Sequence, residues 1–150
     1  MHQKFFALLK KDHDKVADIL QQLEDTTEKQ VKKRETLLAK LGEEWIPHMK
    51  GEEKLFFPLL KEHAQSRDKS MEAVEEHHVG ETVFMELDSM PKDDEIWGAK
   101  LSVLQELIDH HVEEEEGEIF DLAQEVLNEK QMGEVLKAFE TEKSALKKNI

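Results

Sequence analysis

The sequence predicts an all-α protein, an up-down-up-down four-helix bundle with a short additional C-terminal helix. Three observations point there. Apolar residues recur with helical period along nearly the whole chain. Strand signals are missing: no two-residue alternation is sustained, and no Asn-Gly or Asp-Gly hairpin turn occurs. Polar breaks at 25–29, 64–69, 88–94 and around Asn128 divide the pattern into four long segments and one shorter one, and short connections favour antiparallel neighbours. At 150 residues the chain can close one core without staples.

Each element follows from residues that share a face at about 100° per residue. The first, 2–24, gathers Phe6, Leu9, Val16, Ala17 and Leu20 around His13. The second, 29–63, aligns Leu37, Leu41, Trp45, Leu55 and Leu59 with His48, and places Glu52 one turn on. Pro47 lies inside it and removes a backbone donor, so a kink or local widening is expected there; Pro58 marks a bend or the last turns. The third, 69–88, groups Ala73, Val74, Phe84 and Leu87 with His77, with Glu81 one turn on. Pro91 then provides a turn. The fourth, 94–127, aligns Trp97, Leu104, Leu107, Ile108 and Leu122 with His111, and places Glu115 one turn on. The fifth, 130–148, shows Met132, Val135, Leu136, Phe139 and Leu146 on one face. The expected division is a bundle over 1–127 and a C-terminal helix over 128–150, packed on the bundle or frayed.

The two halves repeat one another. "HMKGEEKLFF" and "HVEEEEGEIF" both read His, three residues, Glu-Glu, three residues, Phe. Each is preceded by a helix carrying one histidine: His13 lies 35 residues before His48, and His77 lies 34 before His111. The offsets to Leu20 and Leu23 after His13 match those to Phe84 and Leu87 after His77, which selects His77 over His78.

Composition narrows the chemistry. A net charge of −14 disfavours nucleic acid and anionic membrane surfaces as partners. No apolar run approaches a membrane span and the N-terminal stretch lacks a signal-peptide core, so a cytoplasmic location is expected. With no cysteine, disulfides, iron–sulfur clusters, thiolate zinc sites and thiol nucleophiles are excluded; with no tyrosine, so are a tyrosyl radical and a phenolate ligand. A metal would have to be held by imidazole and carboxylate, a donor set that suits iron, zinc, manganese or nickel.

Every long helix thus carries a histidine in its apolar stripe, and the second and fourth add a carboxylate. Taken singly, a buried histidine satisfied by a hydrogen bond or a surface i,i+4 pair explains each case. His2, His63, His78 and His110 are read that way, and most of the run Glu113 to Glu116 is read as a solvated face. Together, His13, His48, Glu52, His77, His111 and Glu115 would converge inside one bundle. An unpaired buried carboxylate costs several kcal/mol even after relaxation, and a domain is stable by only roughly 5–15 kcal/mol. No Lys or Arg falls on these faces near the cluster, so metal is the expected neutraliser: two divalent ions, two histidines on each, the carboxylates bridging.

These segments resemble the hemerythrin-like family, the HHE cation-binding domain. "KKDHDKV", "HMKGEEKLFFP", "EEHHV" and "HHVEEEEGEIF" carry the resemblance, over about residues 3 to 125. It implies a four-helix bundle enclosing a non-haem di-iron centre, with Glu52 and Glu115 bridging, His13 and His48 on one iron, and His77 and His111 on the other. Oxygen-carrying members place a second histidine one turn after the third-helix ligand; Glu81 stands there here, a candidate seventh ligand or a neighbour of the ligands. Those carriers also have Asp where Glu115 stands. Ferritin-like di-iron bundles instead pair Glu before His at i,i+3. Members that repair iron centres carry an added cysteine-containing domain, and this chain has no cysteine.

The resulting expectation is a di-iron protein that binds dioxygen, peroxide or nitric oxide for oxygen binding, sensing or iron holding, with zinc or manganese as alternative metals. Two other readings accompany it: an enzyme decomposing peroxide at the same ions, motivated by Glu81, and a metal-free helical interaction module. Trp45, Phe56, Phe84 and Trp97 are expected to wall the site.

Overall fold

The computed structural model describes residues 2–148; Met1, Asn149 and Ile150, which fall in the expected division of the chain, lie outside the described residues. The elements are α1 (His2–Glu24), α2 (Val31–Gly51), the π-helical turn π1 (Glu52–Phe56), α3 (Phe57–Lys61), α4 (Ala64–Ser89), α5 (Trp97–Glu114), a second π-helical turn π2 (Glu115–Ile119), α6 (Phe120–Val126) and α7 (Glu129–Lys148). No strand occurs among the described residues. α2–π1–α3 forms one continuous rod and α5–π2–α6 another. With α1 and α4 they make the four-membered bundle: α1 lies against α2 and α5, and α4 against α2, α3 and α5. α7 is the additional helix and lies along α1 and α2. None of the described helices is long and apolar enough to cross a membrane.

Two apolar clusters fill the interior. One joins Val16, Leu20, Leu41, Trp45, Phe84, Trp97, Leu104 and Ile108. The other joins Phe5, Leu9, Phe56, Ala73, Ile119 and Phe139. On every long rod the sequence-predicted histidine falls between members of the two. His13 lies between Leu9 and Val16, His48 between Trp45 and Phe56, His77 between Ala73 and Phe84, and His111 between Ile108 and Ile119. A polar layer therefore crosses the bundle between two apolar cores.

At one end the turns are pinned by buried cations. Arg34 donates from Nε to Thr26 Oγ1 at 2.9 Å and from Nη1 to the Lys92 carbonyl at 2.5 Å, with its guanidinium 4.3 Å over Trp97. Lys92 Nζ donates to the carbonyls of Leu87, Asp88 and Met90, which the end of α4 would otherwise leave unpaired. The α1–α2 and α4–α5 turns are thereby joined.

Two expectations need correction. The polar stretch from Ala64 is not a loop but the first turns of α4, and Glu62 and His63 make the turn, His63 with extended φ −108° and ψ 132°. Ser66 is fully buried and its Oγ donates to the Leu60 carbonyl at 2.6 Å, so a polar residue sits inside the packed start of the helix without an unmet bond. Pro47 does not widen its helix either; α2 runs through it to Gly51. The widening comes at Glu52 and recurs at Glu115, where no proline is near. The shared cause is spacing. His48, Glu52 and Phe56 are all buried, as are His111, Glu115 and Ile119. Two successive steps of four residues drift by about 80° on a 3.6-residue turn, and a wider π turn takes up that drift.

Candidate metal centre

Six side chains meet in the polar layer. Glu52 and Glu115, fully buried, stand between the four imidazoles, whose Nε2 atoms all point inward. Glu52 Oε1 is 3.2 Å from His48 Nε2 and 3.3 Å from His77 Nε2. Glu115 Oε1 is 3.2 Å from His13 Nε2 and 4.0 Å from His48 Nε2, while its Oε2 is 3.2 Å from His111 Nε2. Each carboxylate thus spans a histidine of its own half and one of the other half. Ligand-bearing atoms of Glu52, His77, His111 and Glu115 lie within 4.8 Å of one another, and so do those of His13, His48 and Glu115. The structure therefore brings together all six residues singled out by the sequence.

The outer nitrogen of each ring is held by a carboxylate that sequence reasoning passed over. His13 Nδ1 meets Glu116 at 2.7 Å, His48 Nδ1 meets Asp12 at 3.0 Å, His77 Nδ1 meets Glu53 at 3.0 Å and His111 Nδ1 meets Glu76 at 2.9 Å. Burial pushes Asp12, Glu53 and Glu76 upward, yet the bonds to their histidines win and hold all three below the usual carboxylate range. An ionised carboxylate only accepts. Nδ1 then carries the hydrogen and Nε2 presents a lone pair to the centre, the arrangement that fixes a metal-binding imidazole. Glu116, assigned to the solvated face, is instead a part of the layer. A signal was present: an acid precedes the first histidine of each half, at Asp12 and Glu76, and a second acid follows each buried glutamate, at Glu53 and Glu116.

Whether the layer suits a cation is tested by its unmet bonds. Among the described residues, eight buried side-chain atoms lack a hydrogen-bond partner. Six belong to this layer: Nε2 of His13 and His48, and both oxygens of Glu52 and Glu115; the other two are the indole nitrogens of Trp45 and Trp97. Buried polar atoms normally find partners, and lone-pair-bearing atoms that converge without one match what a cation needs. Protons fill part of that role. Burial, and then Glu115, push Glu52 up to about 8. Burial opposes charge on His111, but Glu115 at 3.2 Å and the bond to Glu76 raise it to about 10. Glu115 also resists burial and stays well below the usual range through Glu52, His111 and His13. Without metal the layer therefore favours a proton on Glu52 and an extra one on His111, whose Nε2 lies 2.9 Å from His77 Nε2.

The surroundings differ in part from expectation. Trp45 stacks on His48 at 5.4 Å and meets His77 and His111 edge-on at 6.0 and 6.1 Å. The other rings on the layer are Phe57, 5.4 Å from His77, and Phe139 of α7, 6.1 Å from His48. Phe56 packs on Phe5 and Phe57, Phe84 covers Gly42, and Trp97 lies under Arg34; the ring contacts to the layer histidines come from Trp45, Phe57 and Phe139 instead. Glu81 stands outside the group of six, turned to Lys50 at 2.9 Å. A cation does approach the layer from α7, where Lys143 pairs with Asp12. His2 ties α1 to the start of α7, bonding Glu129 and the Leu127 carbonyl at 2.7 Å each; His63, His78 and His110 lie away from the layer's interior.

Comparison with known proteins agrees with this geometry. Neither curated proteins nor solved structures give a match. The sequence model of one family, the hemerythrin HHE cation binding domain, matches residues 4–123, a span that contains all six inward residues and the four carboxylates behind them. With its helical bundle and buried His/Glu layer, the chain belongs to the hemerythrin HHE cation binding domain family.

Proposed function

We propose that the layer holds two iron ions and that the loaded centre binds dioxygen or a related small oxidant. His13 and His48 would hold one ion, His77 and His111 the other, with Glu52 and Glu115 bridging. The observation that carries this reading is the convergence of unpartnered Nε2 and Oε atoms in a layer whose outer nitrogens are already engaged. Iron is chosen over zinc and manganese on the di-iron centre that the sequence resemblance implies, since the donor set suits all three.

Ferrous ions there would supply electrons to a bound oxidant. The protein's own residues do the rest. Asp12, Glu53, Glu76 and Glu116 fix ring orientation and raise the basicity of the inward nitrogens. Trp45, Phe57 and Phe139 keep water from the layer, which strengthens every charge interaction inside it. The peroxide-decomposing reading drew on Glu81 as a ligand; with Glu81 engaged by Lys50, no observation favours it over binding. A metal-free interaction module gives no reason for two carboxylates to be buried without partners.

Loading with ferrous iron under anaerobic conditions, followed by air, tests the proposal. Two equivalents of iron and a new visible charge-transfer band are expected, both lost in Glu115→Ala. Two bound equivalents with no spectral change in air would overturn the oxidant reading, and fewer than one equivalent would overturn the centre.

A further inference from the structure

α7 lies beyond the residues matched by the family, yet it reaches the polar layer on one side only. Gly51 makes the approach possible, because a Cβ there would sit 2.7 Å from Phe139 Cε2. Phe139 then covers the His48 ring at 6.1 Å. One turn on, Lys143 Nζ donates to Asp12 Oδ1, whose Oδ2 accepts from His48 Nδ1 at 3.0 Å.

The four outer carboxylates are therefore not equivalent. Asp12 has 2% of its side chain exposed, and Lys143 has 12%. Glu53, Glu76 and Glu116 have 25%, 18% and 33% exposed. Water can orient and screen those three. It cannot reach Asp12, which is left to choose between His48 and whatever else its oxygens meet. Lys143 occupies the second oxygen and so fixes the first on His48.

We infer that Lys143 is a positioning residue for the His13/His48 half of the centre, so that α7 makes the two metal positions inequivalent. The inference rests on the two-ion reading above. Lys143 holds Asp12 against His48 Nδ1, and a misplaced Asp12 frees the His48 ring to rotate. Loss of a carboxylate behind a metal-binding histidine typically weakens binding 10–100-fold. Only the ion on His48 should feel it.

Titration of the full chain with zinc, followed by calorimetry and by ring ¹⁵N resonances of the histidines, tests this. The wild type should take two equivalents. Lys143→Met should weaken one step by about 10-fold or more and leave the other within about threefold. At one equivalent of zinc its His77 and His111 rings should carry the metal-bound shift, and its His13 and His48 rings should not. Lys143→Arg keeps the charge and should bind both ions as the wild type does. So should Lys54→Met, which removes another α7 ion pair, the 3.0 Å contact to Glu142. If Lys143→Met fails to fold, the Asp12→Asn/Lys143→Met double variant buries no unpaired charge and should show the same selective loss. Both steps unchanged, or both weakened alike, would overturn the inference while leaving the two-ion reading intact. A wild type that binds no zinc would overturn that reading and the inference with it.

Discussion

Replacing Glu52 by Gln should stabilise the protein without metal and destabilise it with metal, and the size of the first effect should depend on pH. Glu52 is fully buried, and its folded pKa is about 8 against an ordinary 4.5, through burial and then Glu115. The folded state thus binds the Glu52 proton more tightly than the unfolded state does. Stability from this group is complete below 4.5 and is lost as pH rises through 8, since stability falls wherever the folded state holds more protons. Each tenfold difference in proton affinity between the two states is worth about 1.4 kcal/mol, so at pH 9 the ionised carboxylate costs on the order of a few kcal/mol. Gln has the shape of the protonated acid and carries no such cost. In chelator, melting of Glu52→Gln followed by circular dichroism should match the wild type near pH 5 and exceed it at pH 9. For a domain of this size, roughly 2–4 °C per kcal/mol puts the gap at about 10 °C. With two equivalents of zinc the order should reverse, because the cation removes the cost and Gln no longer bridges. A metal-free variant that melts below the wild type at pH 9, or by the same margin at both pH values, would refute the reasoning.

Three other outcomes follow from the same structure. Removing metal with a chelator should lower the melting temperature by several degrees, because ions that bind only the folded state stabilise it by about 4 kcal/mol at a thousandfold excess over Kd; melts with and without zinc check this. Glu116→Ala should leave the fold intact but weaken metal binding by about 10-fold, since His13 Nδ1 loses its 2.7 Å partner; competition against a chromophoric chelator reads the change. Gly51→Ala should cost about 1–3 kcal/mol by driving a methyl into Phe139, whereas Gly117→Ala, with nothing within 4 Å, should be neutral or mildly stabilising; thermal melts of the pair would separate them.

What was legible in the sequence was whatever repeats with a fixed period. Apolar stripes gave the rods, and the histidines interrupting them gave the six inward residues. Contacts between rods were harder to read. Glu116 and Glu53 point to a neighbouring helix, so on their own helices they look like ordinary solvated acids. Glu81 misled for the converse reason. It sits one turn after His77, as a ligand would, but Lys50 on the facing helix holds it at the surface. Among the wall aromatics Trp45 was legible, because it shares the His48 face, whereas Phe139 was not: its contact with His48 depends on where α7 docks, and that depends on Gly51 lacking a side chain. The widened turns had a sequence cause too, but Pro47 drew attention away from the two successive four-residue steps.

The repeat also predicts that neither half suffices alone. The acid before the first histidine serves its own half: Asp12 holds His48, and Glu76 holds His111. The acid after the buried glutamate crosses over: Glu53 holds His77, and Glu116 holds His13. The buried glutamates divide in the same way, Glu52 reaching His48 and His77, Glu115 reaching His111 and His13. An isolated half would leave its first histidine without either carboxylate and its glutamate half engaged. Burying such a set unpaired is costly, so the polar layer disfavours each half folding by itself and favours the register in which both close together. The same exchange makes the six inward residues nearly two-fold in their contacts, and it is α7, packed along α1 and α2 beside His48, that sets the two sides of the layer apart. Symmetry comes from the duplicated phrase, and asymmetry from the one helix that has no counterpart.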